Sequence, residues 1–67
     1  MINEFVHGMI CFTVRNKRTQ KTEVLRRNHN WYAKGKTLDE ARQKEQRRFK
    51  KEWNADKGDF ICLSVKV

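Results

Sequence analysis

Basic side chains dominate the middle of the chain, and their chemistry suits phosphate. Between Arg15 and Lys36, eight basic residues stand against a single acid, Glu23. The whole chain has a formal net charge of +8 and a pI of about 10.0. Arginine forms bidentate hydrogen bonds with phosphate or guanine, and lysine supplies a point charge. A field of this sign predicts a polyanionic partner, of which nucleic acid is the commonest in a cytosol.

The first candidate site is a cationic hairpin together with the strand that follows it. A two-stranded ribbon with a cationic tip can lie along a phosphate backbone or enter a groove. The alternative is a solvated loop, with charge that keeps an edge strand from pairing with other chains. The net charge exceeds what solubility needs, which favours the binding interpretation. The candidate phosphate contacts are Arg15, Lys17, Arg18, Lys21, Arg26 and Arg27.

Aromatic, amide and basic side chains are interleaved in the next segment, which ends at Lys36. Proteins that bind single-stranded nucleic acid stack bases on rings, reach base edges with amides and neutralise phosphate with lysines. Tyr32 is the candidate stacking residue because its hydroxyl suits a wet edge. Lys34 and Lys36 are further candidate phosphate contacts. Because the core of so short a chain is thin, at least one of Trp31 and Tyr32 is expected to be buried, and Trp31 is left open as core or site.

Other chemistry has little support in the sequence. A basic helix face around Lys44 to Lys51 suits a major groove, yet no helix-turn-helix companion is visible, so a solvated face is favoured. His7 and His29 have the chemistry of an acid–base pair for RNA cleavage, but they fall in different elements. No phosphate loop, nucleophile elbow or paired-carboxylate pattern is present. The sequence predicts a protein that is not an enzyme.

The cysteines and histidines predict neither a metal site nor any other cofactor. Two of each are present, but without the C-x2-C or H-x3-5-H spacing of zinc ligands. Cys11 and Cys62 fall in apolar strand-like runs, which predicts buried, reduced thiols. The N-terminal segment has an acid where a secretion signal carries bases, and no apolar run reaches the length of about 20 residues that spans a bilayer. These features predict a cytoplasmic protein with no membrane partner.

Periodicity predicts two strands, a helix and a third strand in a single domain, residues 1–67. Strand one, from Phe5 to Arg15, has two largely apolar faces, which favours a central position, and Gly8 is a candidate bulge. A polar hairpin loop at 16–20 leads to a mixed, edge-like strand from Lys21 to Arg27, and a short extended piece is predicted at 31–34. In strand one, Val6, Ile10, Phe12 and Val14 are expected on one face and His7, Met9, Cys11 and Thr13 on the other.

The helix start is the clearest local signal. Thr37 and Glu40 form a capping box, and the helix is expected to end at about Trp53 or Asn54. After a turn at 55–59, the last strand is expected to place alternate residues on the core: Ile61, Leu63, Val65 and Val67. On the helix, one stripe is expected to face the sheet: Leu38, Ala41, Glu45, Phe49 and Trp53. The acidic Glu45 on that stripe has no sequence-level explanation beyond pairing with Arg42 or with a base of the sheet.

These elements predict an α+β fold, a small three-stranded antiparallel sheet in ββαβ order with one amphipathic helix on one face. The leading functional expectation is a small, basic, non-enzymatic protein that binds DNA or RNA. The alternative is an inhibitor or adaptor that docks on an acidic surface of a partner protein. The sequence leaves the oligomeric state open: the apolar C-terminal strand is a candidate edge, and a homodimer paired through it would enlarge a thin core.

The chain is similar in type to the small accessory proteins of bacteriophages and other mobile elements, being short, basic and free of proline. The basic hairpin before a capped helix also resembles the sheet-plus-helix DNA-binding modules of phage integrases. That resemblance implies a DNA-binding role. The strand that follows the helix departs from the integrase pattern.

Overall fold

The computed structural model describes residues 1–55 and 58–67, which form one sheet and one helix. The strands are β1 (Ile2–Asn16), β2 (Thr22–Gly35) and β3 (Phe60–Lys66), and α1 (Leu38–Ala55) lies between β2 and β3 in the chain. Both strand pairings are antiparallel, so the predicted α+β class and ββαβ order are confirmed. Of the turn predicted at 55–59, residues 56 and 57 lie outside the described residues. None of the helical residues described forms a helix long and apolar enough to cross a membrane.

The sheet order is β2-β1-β3, so β1 is central, as its two apolar faces predicted. Side chains alternate across a strand, and the even-numbered Ile10, Phe12 and Val14 are buried against α1. The odd-numbered residues of β1 therefore face away from α1. The predicted division of this strand into two faces is confirmed, and the strand itself is longer than predicted at both ends.

β2 is one continuous strand, where the sequence predicted a strand ending at Arg27 and a separate piece at 31–34. The polar segment 28–30 pairs with residues 7–9 of β1 in an unbroken register. Asparagine is depleted in strands, but strand preference depends on context, and a long neighbouring strand supplies backbone partners throughout. The same unbroken register shows that the bulge predicted at Gly8 is wrong.

Asn16 shapes the turn between β1 and β2. Its Oδ1 accepts hydrogen bonds from the backbone N–H groups of Arg18 at 2.8 Å and Thr19 at 3.1 Å. Its backbone carbonyl accepts one from the N–H of Gln20 at 2.8 Å. Among the described non-glycine residues, Gln20 alone has a positive φ, of 64°. The turn predicted at this point is confirmed, and it presents Lys17 and Arg18 at the tip of the ribbon.

We expect Gln20→Gly to stabilise the protein. A residue with a side chain pays about 1 kcal/mol in the left-handed conformation, whereas glycine does not. The variant loses an exposed hydrogen bond from Gln20 Nε2 to the Lys17 carbonyl, so the net gain in free energy of unfolding should be below about 1 kcal/mol. Urea unfolding measures it. Thr19→Gly, one residue earlier and without positive φ, is the control and should lower stability. Equal effects of the two variants would contradict this account of the turn.

α1 begins where the capping box predicted. The backbone N–H of Glu40 donates to Thr37 Oγ1 at 3.2 Å, and two acids in the first turn complement the helix dipole. The helix extends to Ala55, one or two residues beyond the predicted end. The predicted stripe faces the sheet, with Ala41 and Glu45 buried and the others partly buried: Leu38, Phe49 and Trp53.

The core consists of two small clusters placed along the sheet. The larger one joins the sheet to the later turns of α1, where the Phe12 ring packs against the rings of Phe49 and Trp53 at centroid distances of 4.9 and 5.0 Å. The smaller one contains Trp31, Ala33 and Ala41 at the start of the helix. Trp31 is only 7% exposed, which settles its role as a core residue.

The core face of β3 differs from the prediction. Cys62 is buried and pairs with Val14, whereas Ile61 pairs with Arg15 on the side away from α1. The register shifts by one residue between Thr13 and Val14 of β1, so β3 carries an extra residue at 63. A bulge of this kind changes which residues face the core, and strict alternation along the sequence cannot foresee it. The prediction of Ile61 and Leu63 as core residues was wrong, and Val65 and Val67 do pack on the core.

Candidate nucleic-acid interface

The surface of the sheet opposite α1, termed the open face, is the candidate interface. Strand alternation and pairing assign to it the odd-numbered residues of β1 from Asn3 to Arg15 and the even-numbered residues of β2 from Thr22 to Lys34. β3 adds Ile61, Ser64 and Lys66, the partners of odd-numbered β1 residues. Four large apolar or aromatic side chains of the open face are strongly exposed: Phe5 (56%), Met9 (57%), Val24 (60%) and Tyr32 (55%).

The open face carries basic residues and no acid among the residues that the structure describes. Its bases are Arg15, Arg26, Lys34 and Lys66. The described acids lie elsewhere: Glu4 and Glu23 project to the α1 side of the sheet, Asp59 precedes β3, and the remaining four are on α1. Among the described residues, the positive charges of the open face therefore have no acidic side chain beside them on the same face of the sheet.

Four basic residues outside the open face have acidic neighbours. On α1, Arg42 lies 3.7 Å from Asp39, Lys44 lies 3.4 Å from Glu40, and Arg48 lies 2.9 Å from Glu52. At the hairpin tip, Arg18 approaches Asp59 at 3.5 Å. Exposed pairs of this type contribute little stability, but they reduce the local field that a polyanion would meet. Within the described ranges, none of the open-face bases has an ion pair.

The structure places most of the predicted site residues along one ribbon. Arg15, Arg26, Tyr32 and Lys34 lie on the open face. The turn at one end of the ribbon contributes Lys17, Arg18 and Lys21, all exposed. Lys36, also exposed, lies in the connection from β2 to α1 at the opposite end. Only Arg27 is separated from this group.

Arg27, another of the predicted phosphate contacts, lies on the opposite side of the sheet from the rest. It follows Arg26 directly, so its side chain projects to the α1 side of the sheet. Its guanidinium carbon lies 5.5 Å from the ring centroids of both Phe12 and Trp53. Such cation–π contacts stabilise the fold, and they cover the core with the aliphatic part of the arginine. Arg27 therefore belongs to the packing of the helix on the sheet.

The aromatic part of the open face has one member that the sequence argument missed. Tyr32 is exposed as predicted, and its Cα partner on β1 is Phe5. The Phe5 ring meets the His7 ring edge to face, with centroids 5.0 Å apart. The alternation of side chains along β1 would have placed Phe5 on the open face, because it lies two residues before His7 and four before Met9. It was taken only as the first residue of strand one.

The two histidines lie on opposite faces of the sheet. His7 projects to the open face and is exposed, whereas His29 projects to the α1 side. The acid–base pair considered from the sequence is therefore not assembled. His29 lies within β2, between the two extended pieces that the sequence predicted.

His29 accounts for the acid on the apolar stripe of α1. Its Nε2 lies 2.5 Å from Oε2 of Glu45, which is 7% exposed. Arg48 donates two hydrogen bonds to the same carboxylate, from Nε at 2.9 Å and from Nη2 at 2.6 Å. Burial by itself raises the pKa of Glu45, but the hydrogen bonds and charges of Arg48 and His29 outweigh it and lower that pKa below its usual value. Glu45 thus pairs with a sheet residue, one of the two pairings considered.

The cysteines are free thiols on opposite sides of the sheet. Cys62 is buried as predicted, and burial raises the pKa of its thiol. Cys11 lies on the open face and is only partly buried, which corrects its predicted burial. In the residues described, no group of three or more potential ligands could hold a metal ion.

Comparison with known proteins gives no relative. No protein-family model matches the chain, and neither does any curated protein or solved structure. The functional argument therefore depends on the residues and geometry of the open face.

Proposed function

We propose that this protein is a small, non-enzymatic nucleic-acid-binding module that uses the open face and the adjoining hairpin tip. The observation that carries the proposal is the segregation of charge, because the described acids all lie off a surface that holds exposed rings and bases. Affinity for nucleic acid derives largely from neutralised phosphates, so a face with bases and no acids is the favourable one. The proposed setting is the cytoplasm, as an accessory protein of the kind that mobile elements encode.

The phosphate contacts are distributed along the length of the ribbon. Lys34 and Lys36 lie at one end, Arg26 near the middle, and Arg15 with the hairpin tip at the other end. The molecule is 43 Å long but only 19 and 15 Å across, so this row of bases suits an elongated polyanion. Lys17, Arg18 and Lys21 extend the row beyond the sheet. The sequence argument did not single out Lys66, which pairs with Cys11 on the same face.

An acidic protein surface is the second candidate partner. The exposed apolar residues Phe5, Met9 and Val24 of the open face favour it, because they offer the apolar hot spot that a protein interface needs. Salt separates the two candidates: binding to nucleic acid weakens steeply with salt, whereas an apolar hot spot retains a protein partner. Homodimerisation through β3 stays a proposal, and β3 does lie at an edge of the sheet.

Adjacent arginines on opposite faces provide the test. We expect Arg26→Gln to weaken nucleic-acid binding and to reduce the slope of log K against log salt by about 0.7 to 0.9, the value for one lost phosphate contact. Arg27→Gln removes the same charge one residue away but should change binding less. Arg27→Gln should instead lower the melting temperature, since it removes the contacts with Phe12 and Trp53. Fluorescence anisotropy at several salt concentrations and thermal melts measure both effects.

Arg47→Gln is the control for net charge. Arg47 is exposed and lies on α1, which packs against the side of the sheet opposite the open face. Equal reductions in affinity for all three variants would show that binding follows net charge alone, and would contradict the open face as the site. An absence of binding to any nucleic acid at low salt would overturn the proposed function.

A further inference from the structure

Between the basic residues Lys34 and Arg26, the described residues of the open face include no Lys, Arg, Asp or Glu. The composition of this section suits the stacking of nucleic-acid bases. Between Lys34 and Arg26, β2 presents Tyr32, Asn30 and Asn28 to the open face. Their partners on β1 are Phe5, His7 and Met9 respectively. Rings therefore occupy the end near Lys34, and amides occupy the rest of the section up to Arg26.

The exposure of these side chains points to a ligand with accessible ring faces. Phe5 and Tyr32 each leave more than half of their surface to solvent. In a duplex the bases are stacked within the helix and the phosphates face outward, so exposed rings would meet the charged backbone. Bases of an unpaired strand can be splayed out and stacked on aromatic side chains.

We propose that the ligand of the open face is an unpaired nucleic-acid strand, with bases stacked on Phe5 and Tyr32 and phosphates held by Lys34 and Arg26. This proposal rests on the nucleic-acid-binding function proposed above and specifies its substrate class. Alternate residues of a strand are about 6.6 Å apart, so the section from Tyr32 to Arg26 is about 20 Å long and can accommodate several nucleotides.

The side-chain amides of Asn28 and Asn30, which lie between the aromatic rings and Arg26, can hydrogen-bond to nucleic-acid bases. Asn28 and Asn30 are exposed on the open face. An asparagine side chain has both donors and an acceptor, so it can hydrogen-bond to the edge of a base that is not paired. Neither ring stacking nor phosphate contact requires a 2′-hydroxyl group. Unpaired RNA and unpaired DNA of the same sequence should therefore bind with similar affinity.

The test compares ring-deleting and ring-keeping variants at Tyr32. We expect Tyr32→Leu to weaken binding of a single-stranded oligonucleotide of about ten nucleotides by about five- to a hundredfold, the range for loss of one stacked base. Tyr32→Phe keeps the ring and should bind almost as wild type does. Phe5→Leu should resemble Tyr32→Leu. Anisotropy titrations use the DNA oligonucleotide, the RNA oligonucleotide of the same sequence, and the DNA duplex.

Phe60→Leu is the matched control, because Phe60 is 41% exposed but lies on the α1 side of the sheet, paired with Asn16. It should leave binding unchanged, and circular dichroism should show that all variants are folded. Duplex binding equal to or tighter than that of the single strand would overturn the substrate class and leave the general function intact. Equal losses in Tyr32→Phe and Tyr32→Leu would also overturn it. Failure of every nucleic acid to bind would overturn the proposed function itself.

Discussion

Replacing Phe12 by alanine is expected to leave the protein largely unfolded at 25 °C. The Phe12 side chain is 1% exposed and contacts the rings of Phe49 and Trp53 as well as the guanidinium of Arg27. Deleting a buried phenylalanine costs about 3–5 kcal/mol. A chain of 67 residues has about 3–10 kcal/mol to lose, at roughly 0.05–0.15 kcal/mol per residue. Thermal melts followed by far-UV circular dichroism should show a broad transition at a much lower temperature.

Phe5→Ala on the same strand is the control for Phe12→Ala. Phe5 is 56% exposed on the open face, so its removal should change the free energy of unfolding by less than about 1 kcal/mol. Phe12→Leu should have an intermediate effect, since most of the apolar volume is kept. A Phe12→Ala protein that melts within a few degrees of Phe5→Ala would contradict the division of β1 into a core face and an open face.

Glu45→Ala is expected to destabilise the fold at neutral pH by about 3 kcal/mol. The substitution leaves His29 without its carboxylate partner and removes both hydrogen bonds from Arg48. Arg48 is half-exposed and can be hydrated, which places the expected cost at the low end for a broken buried pair. Urea unfolding measures it. The double variant His29→Leu, Glu45→Leu replaces the pair with apolar side chains and should recover much of the loss; a double variant as unstable as Glu45→Ala would contradict this account.

The Glu45 carboxylate also makes the stability of the folded protein depend on pH in the acidic range. The pKa of Glu45 is lower in the folded protein than its usual value of 4.5, so ionised Glu45 favours the folded state. Its contribution is fully present above pH 4.5 and is lost as the pH falls through the folded pKa. Glu45→Gln should therefore lose less stability than wild type between pH 5 and pH 3, when urea midpoints are compared. Parallel acid profiles for the two proteins would rule out Glu45 as a contributor.

The sequence predicted the fold class, the central strand and the start of the helix, because each follows from local chemistry. The cap on α1 needs only Thr37 and the residues after it, and the core face of β1 needs only alternation. The continuity of β2 depends instead on the length of the strand beside it, and the core face of β3 depends on a register shift opposite Val14. The register between two strands that are distant in the sequence cannot be predicted from either strand alone.

The candidate site was predicted in composition and only partly in position. Tyr32, Lys34 and Arg26 share a face because they are an even number of residues apart on one strand. The same rule separates Arg27 from Arg26, but it applies only once both are known to lie in a continuous strand. The sequence could not predict that the described acidic residues lie off the open face, because this requires knowing which of them project to the α1 side of the sheet.

The uninterrupted pairing of β1 with β2 limits how the length of the chain can change. Inserting or deleting one residue within β2 reverses the facing of every residue beyond that point, so that Tyr32 would turn toward the helix and Trp31 toward solvent. A change of two residues preserves the facing and merely lengthens or shortens the ribbon. Homologous chains should therefore differ in ribbon length by even numbers of residues, and an odd difference should coincide with a bulge.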